Sequence, residues 1–165
     1  MIDVGIIQNE FHIFHFKHME HILTAKMRCK KLIIGISDPE NNVPFSYYEK
    51  MSMISESLKE FGLKREEFEI VPFPIGEPEK LSLYAPLQST VFMSDYDEKS
   101  DHECEILEGQ DFKVKVLWRQ GEEEQRITEE EIKNCILNGE DWKQFVPKTV
   151  YEYAVSHDIK GRLTE

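Results

Sequence analysis

The length of 165 residues, the mass of 19.5 kDa and the apolar content of 40% suit one domain with a buried core and exclude general disorder. The formal net charge of −12 argues against non-specific binding to nucleic acid or to an anionic membrane. No apolar run approaches membrane-spanning length, and the start MIDVGII lacks the basic flank and cleavage site of a signal peptide. Three isolated cysteines without C-x-x-C spacing are typical of reduced thiols. We therefore expect a cytoplasmic protein with no nucleic-acid or membrane partner.

Segments with strand-like patterns alternate with segments of helical spacing. In chain order the predicted elements are a strand VGIIQ (4–8), a helix from His18 onward, a strand KLIIGIS (31–37), a helix PFSYYEKMSMISESLKEFG (44–62), strands FEIVPFP (68–74) and TVFMS (90–94), a short polar helix within DEKSDHECEILEGQ (97–110), a strand FKVKVLW (112–118), and helices TEEEIKNCILNG (128–139) and VPKTVYEYAVSHD (146–158). This alternation predicts a three-layer α/β fold with a central parallel sheet of about five strands. In such sheets ligands bind at the carboxyl ends of the strands, near a switch in strand order.

The two best-marked helices carry sequence signals at their ends. Ser46 with Glu49 and Thr128 with Glu131 each fit a capping box, which predicts a helix start. Gly62 marks the end of the first of these helices. Its predicted apolar stripe consists of Met51, Ile54, Leu58 and Phe61.

Four of the six histidines follow the first predicted strand at steps of three, as His12, His15, His18 and His21. A metal site would need a further ligand from afar, such as His102, Cys104 or Asp97, and we predict no metal bound by the protein itself. The four could instead be partly exposed polar residues without a role. In the third interpretation His15 and His18 form a pair at the entry to a helix, where free backbone N–H groups favour an anion. Such a pair could stabilise a phosphate during group transfer.

The histidine segment also resembles a known family. NEFHIFHFKHMEHILTAK, followed by CKKLIIGISDPE, resembles the start of the nucleotidyltransferase superfamily, and especially the G-R-F-Q-P-F-H-x-G-H pattern of nicotinamide-nucleotide adenylyltransferases. VPFSYYEKMSMI is similar to the family's N-P-F-T-x-x-E-R-x-x-M-I segment. ITEEEIKNCILNGEDWKQFVPKTVYEYA resembles the closing S-G-T-x-I-R-x-x-x-x-x-G-x-D-W-x-x-x-V-P-x-x-V stretch. The resemblance implies a single Rossmann-like nucleotidyltransferase domain over residues 1–165, with helices of about 128–158 packing on it.

The resemblance implies an enzyme of NAD biosynthesis that transfers AMP from ATP, bound with Mg²⁺, to nicotinamide or nicotinate mononucleotide and releases pyrophosphate. His15 and His18 would be the catalytic residues at the transferring phosphate. The expected nucleotide- and phosphate-binding residues are Gln8, Phe11, His12, Lys17, Arg119, Arg126, Thr128 and Lys133. The expected acceptor-binding residues are Tyr84 and Asp95.

Several residues near the expected site also have a purely structural interpretation. Tyr84 could be a half-buried core residue, and Trp118, which ends a strand near the expected site, could equally belong to the core. Asp95 and Asp97 could hold Mg²⁺ or a ribose hydroxyl, or could cap turns.

Several positions depart from the family pattern. Lys17 replaces the glycine between the histidines, and Glu10 replaces an arginine with a reversal of charge. Asn9 replaces a glycine, so we expect any positive φ there to fall on Asn9. Thr128, Glu129 and Glu130 replace S-G-T, and Lys133 replaces the closing arginine.

These departures keep two alternatives open beside an adenylyltransferase. One is a catalytically impaired nucleotide-binding relative, and the other is a cytidylyltransferase-like enzyme with a different phosphorylated acceptor. The resemblance also implies a possible homo-oligomer.

Overall fold

The computed structural model describes residues 1–95, 98–119 and 128–164, with only the backbone of Asp95, Glu98 and Arg119. The elements in chain order are β1 Ile2–Asn9, α1 Phe16–Lys26, β2 Cys29–Ile36, α2 Tyr47–Glu60, β3 Phe68–Pro72, β4 Thr90–Asp95, α3 Glu98–Gly109, β5 Lys113–Arg119, α4 Glu129–Leu137, α5 Lys148–Ser156 and α6 Ile159–Thr164. Short 3-10 turns lie at Arg65–Glu67, Pro78–Leu83 and Lys143–Phe145.

The chain forms two compact units. The first contains Met1–Glu10, Ile22–Pro39 and Glu66–Gln125, and the second contains Phe11–His21, Glu40–Arg65 and Arg126–Glu165. All five strands belong to the first unit. The second unit contains the histidine segment together with α2, α4, α5 and α6.

The first unit confirms the predicted parallel sheet of five strands. The strand order is β3-β2-β1-β4-β5, and every neighbouring pair is parallel. Strand β1 is central and pairs through Ile6 with Ile33 on one side and with Val91 on the other. Since the chain order changes direction between β1 and β4, their carboxyl ends define the switch point of the sheet.

Strand β2, next to the central strand, is apolar on both faces over most of its length. In β2 all residues from Leu32 to Ile36 are buried, which is typical of a parallel strand covered on both sides. Ile6, Ile33 and Val91 belong to one core cluster. Its other members are Val71, Phe73, Leu81, Ala85, Met93, Leu107 and Phe112.

Helix α2 has the predicted ends but a different buried face. Ser46 and Glu49 form the capping box, and Gly62, with φ of +93°, lies in a Schellman turn in which the Leu63 N–H donates to Leu58 O at 3.1 Å. The buried side chains are Lys50, Met53, Ile54, Ser57 and Leu58. The predicted stripe is therefore wrong at Met51, which is half-buried, and at Phe61, which is 49% exposed. Phe61 follows the last helical residue, so helical spacing no longer directs its side chain inward.

Other boundaries differ modestly from the predictions. Helix α1 begins at Phe16, two residues before His18, and α6 was not predicted. In α4, Ile132 and Ile136 are buried and Cys135 is half-buried. Among the described residues, no helix combines the length and apolarity that a membrane crossing needs.

A partly buried ion pair and a tyrosine hydroxyl connect α2, α5 and α6 in the second unit. Arg162 Nη1 lies 2.9 Å from both carboxylate oxygens of Glu49 and donates to Pro44 O at 3.1 Å, and the Tyr153 hydroxyl donates to the same carboxylate. Burial raises the pKa of Glu49, but hydrogen bonds from the Ser46 N–H, Tyr153 and Arg162 outweigh it and lower this pKa to about 2.

We predict that Arg162→Gln destabilises the protein at neutral pH by about 1–2 kcal/mol, because Glu49 loses its charged partner. Since the folded pKa of Glu49 is lowered, its contribution is full above its ordinary pKa of 4.5 and is lost as pH falls toward about 2. Urea unfolding at neutral and acid pH measures both effects. The exposed pair of Lys148 and Glu152, 3.7 Å apart, offers the control Lys148→Gln, which we expect to cost less than about 0.5 kcal/mol. Equal losses in the two variants would contradict this role of Glu49.

Candidate active site

The connection between β1 and α1 contains a strained turn. Phe11 has φ of +51° and is 2% exposed. A bulky residue in this region costs on the order of 1–3 kcal/mol, and such residues cluster at functional sites. The expectation of positive φ at Asn9 is wrong, because Asn9 remains the last residue of β1, in register with Ile36. The residue with positive φ is therefore Phe11, two positions later, and its ring is buried.

The turn places His15 and His18 together at the start of α1. The two side chains are buried, and their rings stack with centroids 3.8 Å apart and planes at 17°. The Phe14 ring stacks on His18 at 5.8 Å, and the Phe11 ring meets it edge-on at 5.0 Å. This burial excludes the interpretation of these two histidines as partly exposed polar residues.

Backbone contacts fix the tautomer of His18. The His15 N–H donates to His18 Nδ1 at 3.3 Å, so this ring nitrogen acts as an acceptor. In a neutral imidazole the proton then resides on the other nitrogen, Nε2, which is the donor. His15 directly precedes α1. Its carbonyl accepts the Met19 N–H at 3.1 Å, which is the bond expected of a residue in this position.

Both imidazoles are neutral at neutral pH. The pKa of His15 is lowered from 6.5 to about 4. Burial is the largest cause, and the charges of Lys17 and His21 add to it. Burial also lowers the pKa of His18 well below its usual range, with further contributions from neighbouring His15, His21, Lys17 and His12. The pair therefore offers N–H donors, and not full positive charges, to an anion.

The start of α4 brings a carboxylate to the pair. Thr128 and Glu131 form the predicted capping box, with the Glu131 N–H donating to Thr128 Oγ1 at 3.2 Å. Glu129, the first helical residue, lies with Oε1 3.4 Å from His18 Nε2. The sequence analysis gave Glu129 no role at the site, since this contact joins positions over a hundred residues apart.

His15, His18 and Glu129 offer three potential metal ligands within 4.8 Å of one another. This group contains neither His102 nor Cys104, and Asp97 lies outside the described residues. The geometry fits a metal poorly. The two rings are stacked and nearly parallel, so their nitrogen lone pairs point in similar directions and do not converge on one metal ion. A ligating histidine also donates its other ring N–H, whereas His18 Nδ1 accepts.

A pocket of about 260 Å³ adjoins this carboxylate within the second unit. Its polar lining consists of His12, Glu129, Glu130 and Lys133, and its apolar lining consists of Ile13, Val43, Pro44 and Leu163. The volume is close to the lower end for small-molecule sites. Of the residues expected to bind phosphate, His12 and Lys133 therefore line one pocket, and Thr128 caps the helix that supplies its acidic residues.

The structure places the remaining expected residues as follows. Lys17 is half-buried in the first turn of α1, and Gln8 of β1 donates to Glu103 Oε2 of α3 at 2.9 Å. Tyr84 is half-buried and packs against the core of the first unit, and Trp118 is buried in β5. Asp95 and Arg119 end strands β4 and β5 and are described for their backbone alone, and Arg126 lies outside the described residues.

Two curated relatives align with nearly the whole chain. The chain is 30% identical over 175 residues to the phosphonoformate cytidylyltransferase of Streptomyces viridochromogenes, covering 96% of this chain and 94% of the relative. It is 28% identical over 166 residues to the nicotinamide-nucleotide adenylyltransferase of Saccharolobus solfataricus, covering 95% and 91%. No protein-family model matches the chain.

Solved structures share the fold at low identity. The bifunctional NMN adenylyltransferase/ADP ribose pyrophosphatase of Francisella tularensis superposes with a TM-score of 0.74 at 17% identity, covering 99% of this chain and 53% of that one. A putative nicotinate-nucleotide adenylyltransferase of Vibrio parahaemolyticus gives 0.65 at 13% identity, covering 97% and 96%. The present chain thus spans about half of the Francisella protein.

The identity and coverage of these relatives, together with the parallel sheet and the histidine pair, settle the class. The chain belongs to the nucleotidyltransferase superfamily, as the sequence resemblance indicated, and it is an enzyme of nucleotidyl transfer.

The lowered pKa values predict a pH dependence of stability. Between pH 6.5 and about 4, the unfolded chain takes up protons at His15 and His18 that the folded protein excludes. Both contributions are therefore full above pH 6.5. That of His15, on the order of 3 kcal/mol, is lost as pH falls toward about 4, and that of His18 also declines as pH falls.

We expect the double variant His15→Gln, His18→Gln to lose less stability than the wild type over this pH range. Urea unfolding at about pH 7 and about pH 4.5 measures the difference. His102→Gln, on the exposed face of α3, should keep the wild-type dependence. An unchanged slope in the double variant would show that these histidines titrate normally.

Proposed function

We propose that this enzyme transfers a nucleotidyl group from a nucleoside triphosphate to a small acceptor that carries a phosphate or phosphonate, and that it releases pyrophosphate. The observation that carries the proposal is the buried, stacked pair of His15 and His18 at the start of α1. The N–H donors of the pair and the free N–H groups of a helix start suit an anionic phosphorus ester.

In this mechanism the acceptor oxygen attacks the α-phosphorus in line with the leaving pyrophosphate. The reaction needs positioning and charge stabilisation more than a general base. The N–H of His18 Nε2 and a ring N–H of His15 would donate to the oxygens of the transferring phosphate. The approach of an anion also raises the pKa of both imidazoles and so strengthens the interaction.

Cationic side chains would hold the leaving phosphates. We assign this part to Lys17, Lys133, Arg119 and Arg126, of which Lys133 lines the pocket and Lys17 lies in the same turn of α1 as His18. Gln8, Phe11, His12 and Thr128 would complete the nucleotide side, and Tyr84 and Asp95 the acceptor side. Mg²⁺ would enter as part of the triphosphate substrate and offset its charge against Glu129 and Glu130.

Two donor and acceptor pairs fit this chemistry. ATP with nicotinamide or nicotinate mononucleotide follows from the histidine pattern and from the Saccharolobus relative, and would place the enzyme in NAD biosynthesis. CTP with a small phosphonate is favoured by the 30% identity to the phosphonoformate cytidylyltransferase and by the small pocket. A single functional domain, a homo-oligomer and a cytoplasmic location stay predictions.

We predict that His15→Ala and His18→Ala each lower the rate of pyrophosphate release by about 10²–10³-fold, since each removes one donor to the transferring phosphate. The double variant should show no turnover above background. Circular dichroism and thermal unfolding report whether the fold is kept, and His102→Ala on α3 serves as the control with unchanged turnover. Turnover at the wild-type rate in the folded double variant would refute the catalytic assignment.

A product screen separates the two substrate pairs. The wild-type protein is incubated with Mg²⁺ and ATP or CTP, each with nicotinamide mononucleotide or phosphonoformate, and products are identified by mass spectrometry. We expect one pair to give a nucleotidyl product with stoichiometric pyrophosphate. Tight nucleotide binding by calorimetry without any product would instead favour the impaired, binding-only relative.

A further inference from the structure

We propose that Phe14 is a positioning residue, whose buried ring holds the imidazole of His18 in the orientation that presents its Nε2–H to the substrate. Phe14 directly precedes His15 in the connection between β1 and α1. The inference rests on the proposed role of His18 as a donor to the transferring phosphate. Because the phenyl ring carries no hydrogen-bonding group, it can act on a phosphate only through a neighbouring side chain.

The hydrogen bond from His15 restrains the His18 ring only loosely. The His15 N–H donates to His18 Nδ1 at 3.3 Å, which is longer than most N–H hydrogen bonds in proteins. The terminal torsion of a histidine side chain is also broad, so the helix backbone alone does not fix the plane of the ring. Half a turn about the Cβ–Cγ bond would put the ring carbon Cε1 where Nε2 lies. The N–H donor would then face away from the transferring phosphate.

The aromatic rings around His18 supply the missing restraint. The Phe14 ring lies nearly parallel to the imidazole, with centroids 5.8 Å apart and planes at 20°, and the Phe11 ring meets the imidazole edge-on at 5.0 Å. Phe14 is 3% exposed and packs edge-on against Phe11, with centroids 5.9 Å apart. Since these flat neighbours are themselves closely packed, the imidazole can turn only if they move.

Phe14 is the ring whose contact with His18 can be removed by itself. His15 also stacks on His18, but it is a proposed donor to the phosphate. Phe11 carries the positive φ of the turn, so its replacement would alter the backbone as well as the packing. Leucine at position 14 keeps an apolar side chain but has no flat face to lie against the imidazole.

The test compares Phe14→Leu with the matched control Phe112→Leu. Phe112 is also 3% exposed and also meets another phenylalanine, Phe73, edge-on at 5.9 Å. It belongs to the core of the first unit, in a cluster whose described members include no histidine. The control therefore removes a ring of equal burial and a similar ring contact. Phe14→Met is a second non-aromatic variant, and thermal unfolding shows whether each protein is folded.

The first measurement is the NMR signal of the ring nitrogens in the full chain at neutral pH, with His18→Gln to assign the His18 signals. In the wild type and in Phe112→Leu, His18 should carry its proton on Nε2. In Phe14→Leu and Phe14→Met the ring should populate both tautomers, because a ring that turns away from the His15 N–H loses the bond that favours one of them.

The second measurement is the rate of pyrophosphate release with Mg²⁺ and each of the two substrate pairs named above. We expect Phe14→Leu to lower kcat about tenfold and to change KM at most about twofold, since the lost orientation affects the transferring phosphate more than substrate binding. Phe112→Leu should change kcat at most about twofold.

An unchanged His18 tautomer in folded Phe14→Leu would overturn the proposal and leave the proposed function intact. Equal losses of kcat in the Phe14 and Phe112 variants would also overturn it, because they would indicate a general loss of packing. If the tautomers mixed but turnover kept the wild-type rate, donation from His18 to the phosphate would be wrong, and the positioning role would fail with it.

Discussion

The chemistry that we propose for this protein depends on two imidazoles that are buried in contact with each other. Burial keeps His15 and His18 uncharged at neutral pH, and the stacking of their rings leaves them with directed N–H groups. The aromatic rings of Phe11 and Phe14 make this possible, because they shield His18 from water on two sides. The strained φ of Phe11 is the local cost of that arrangement.

Each compact unit has its own stabilising framework. In the first, β1 lies at the centre of a parallel sheet, and apolar residues of its strands form a buried core cluster. In the second, Glu49 joins three helices by accepting from Arg162, Tyr153 and its own helix cap. A carboxylate with so many donors is held ionised, so this framework weakens only in acid.

The departures from the family pattern change the charge around the histidine pair without removing its N–H donors. Lys17 adds a cation beside the pair and lowers the pKa of both histidines, whereas Glu129 adds an anion at the donor nitrogen of His18.

Local signals in the sequence determined the order of the elements other than α6, both capping boxes and the glycine stop of α2, because each depends on neighbours within a few residues. The residue that takes positive φ and the buried face of α2 were misjudged, since strand pairing at Asn9 and the exact helix end at Glu60 are set by packing. The contact of Glu129 with His18 and the pocket lined by His12 and Lys133 join distant positions. Only the tertiary structure decided these, because sequence spacing carries no information on which side chains meet across a folded chain.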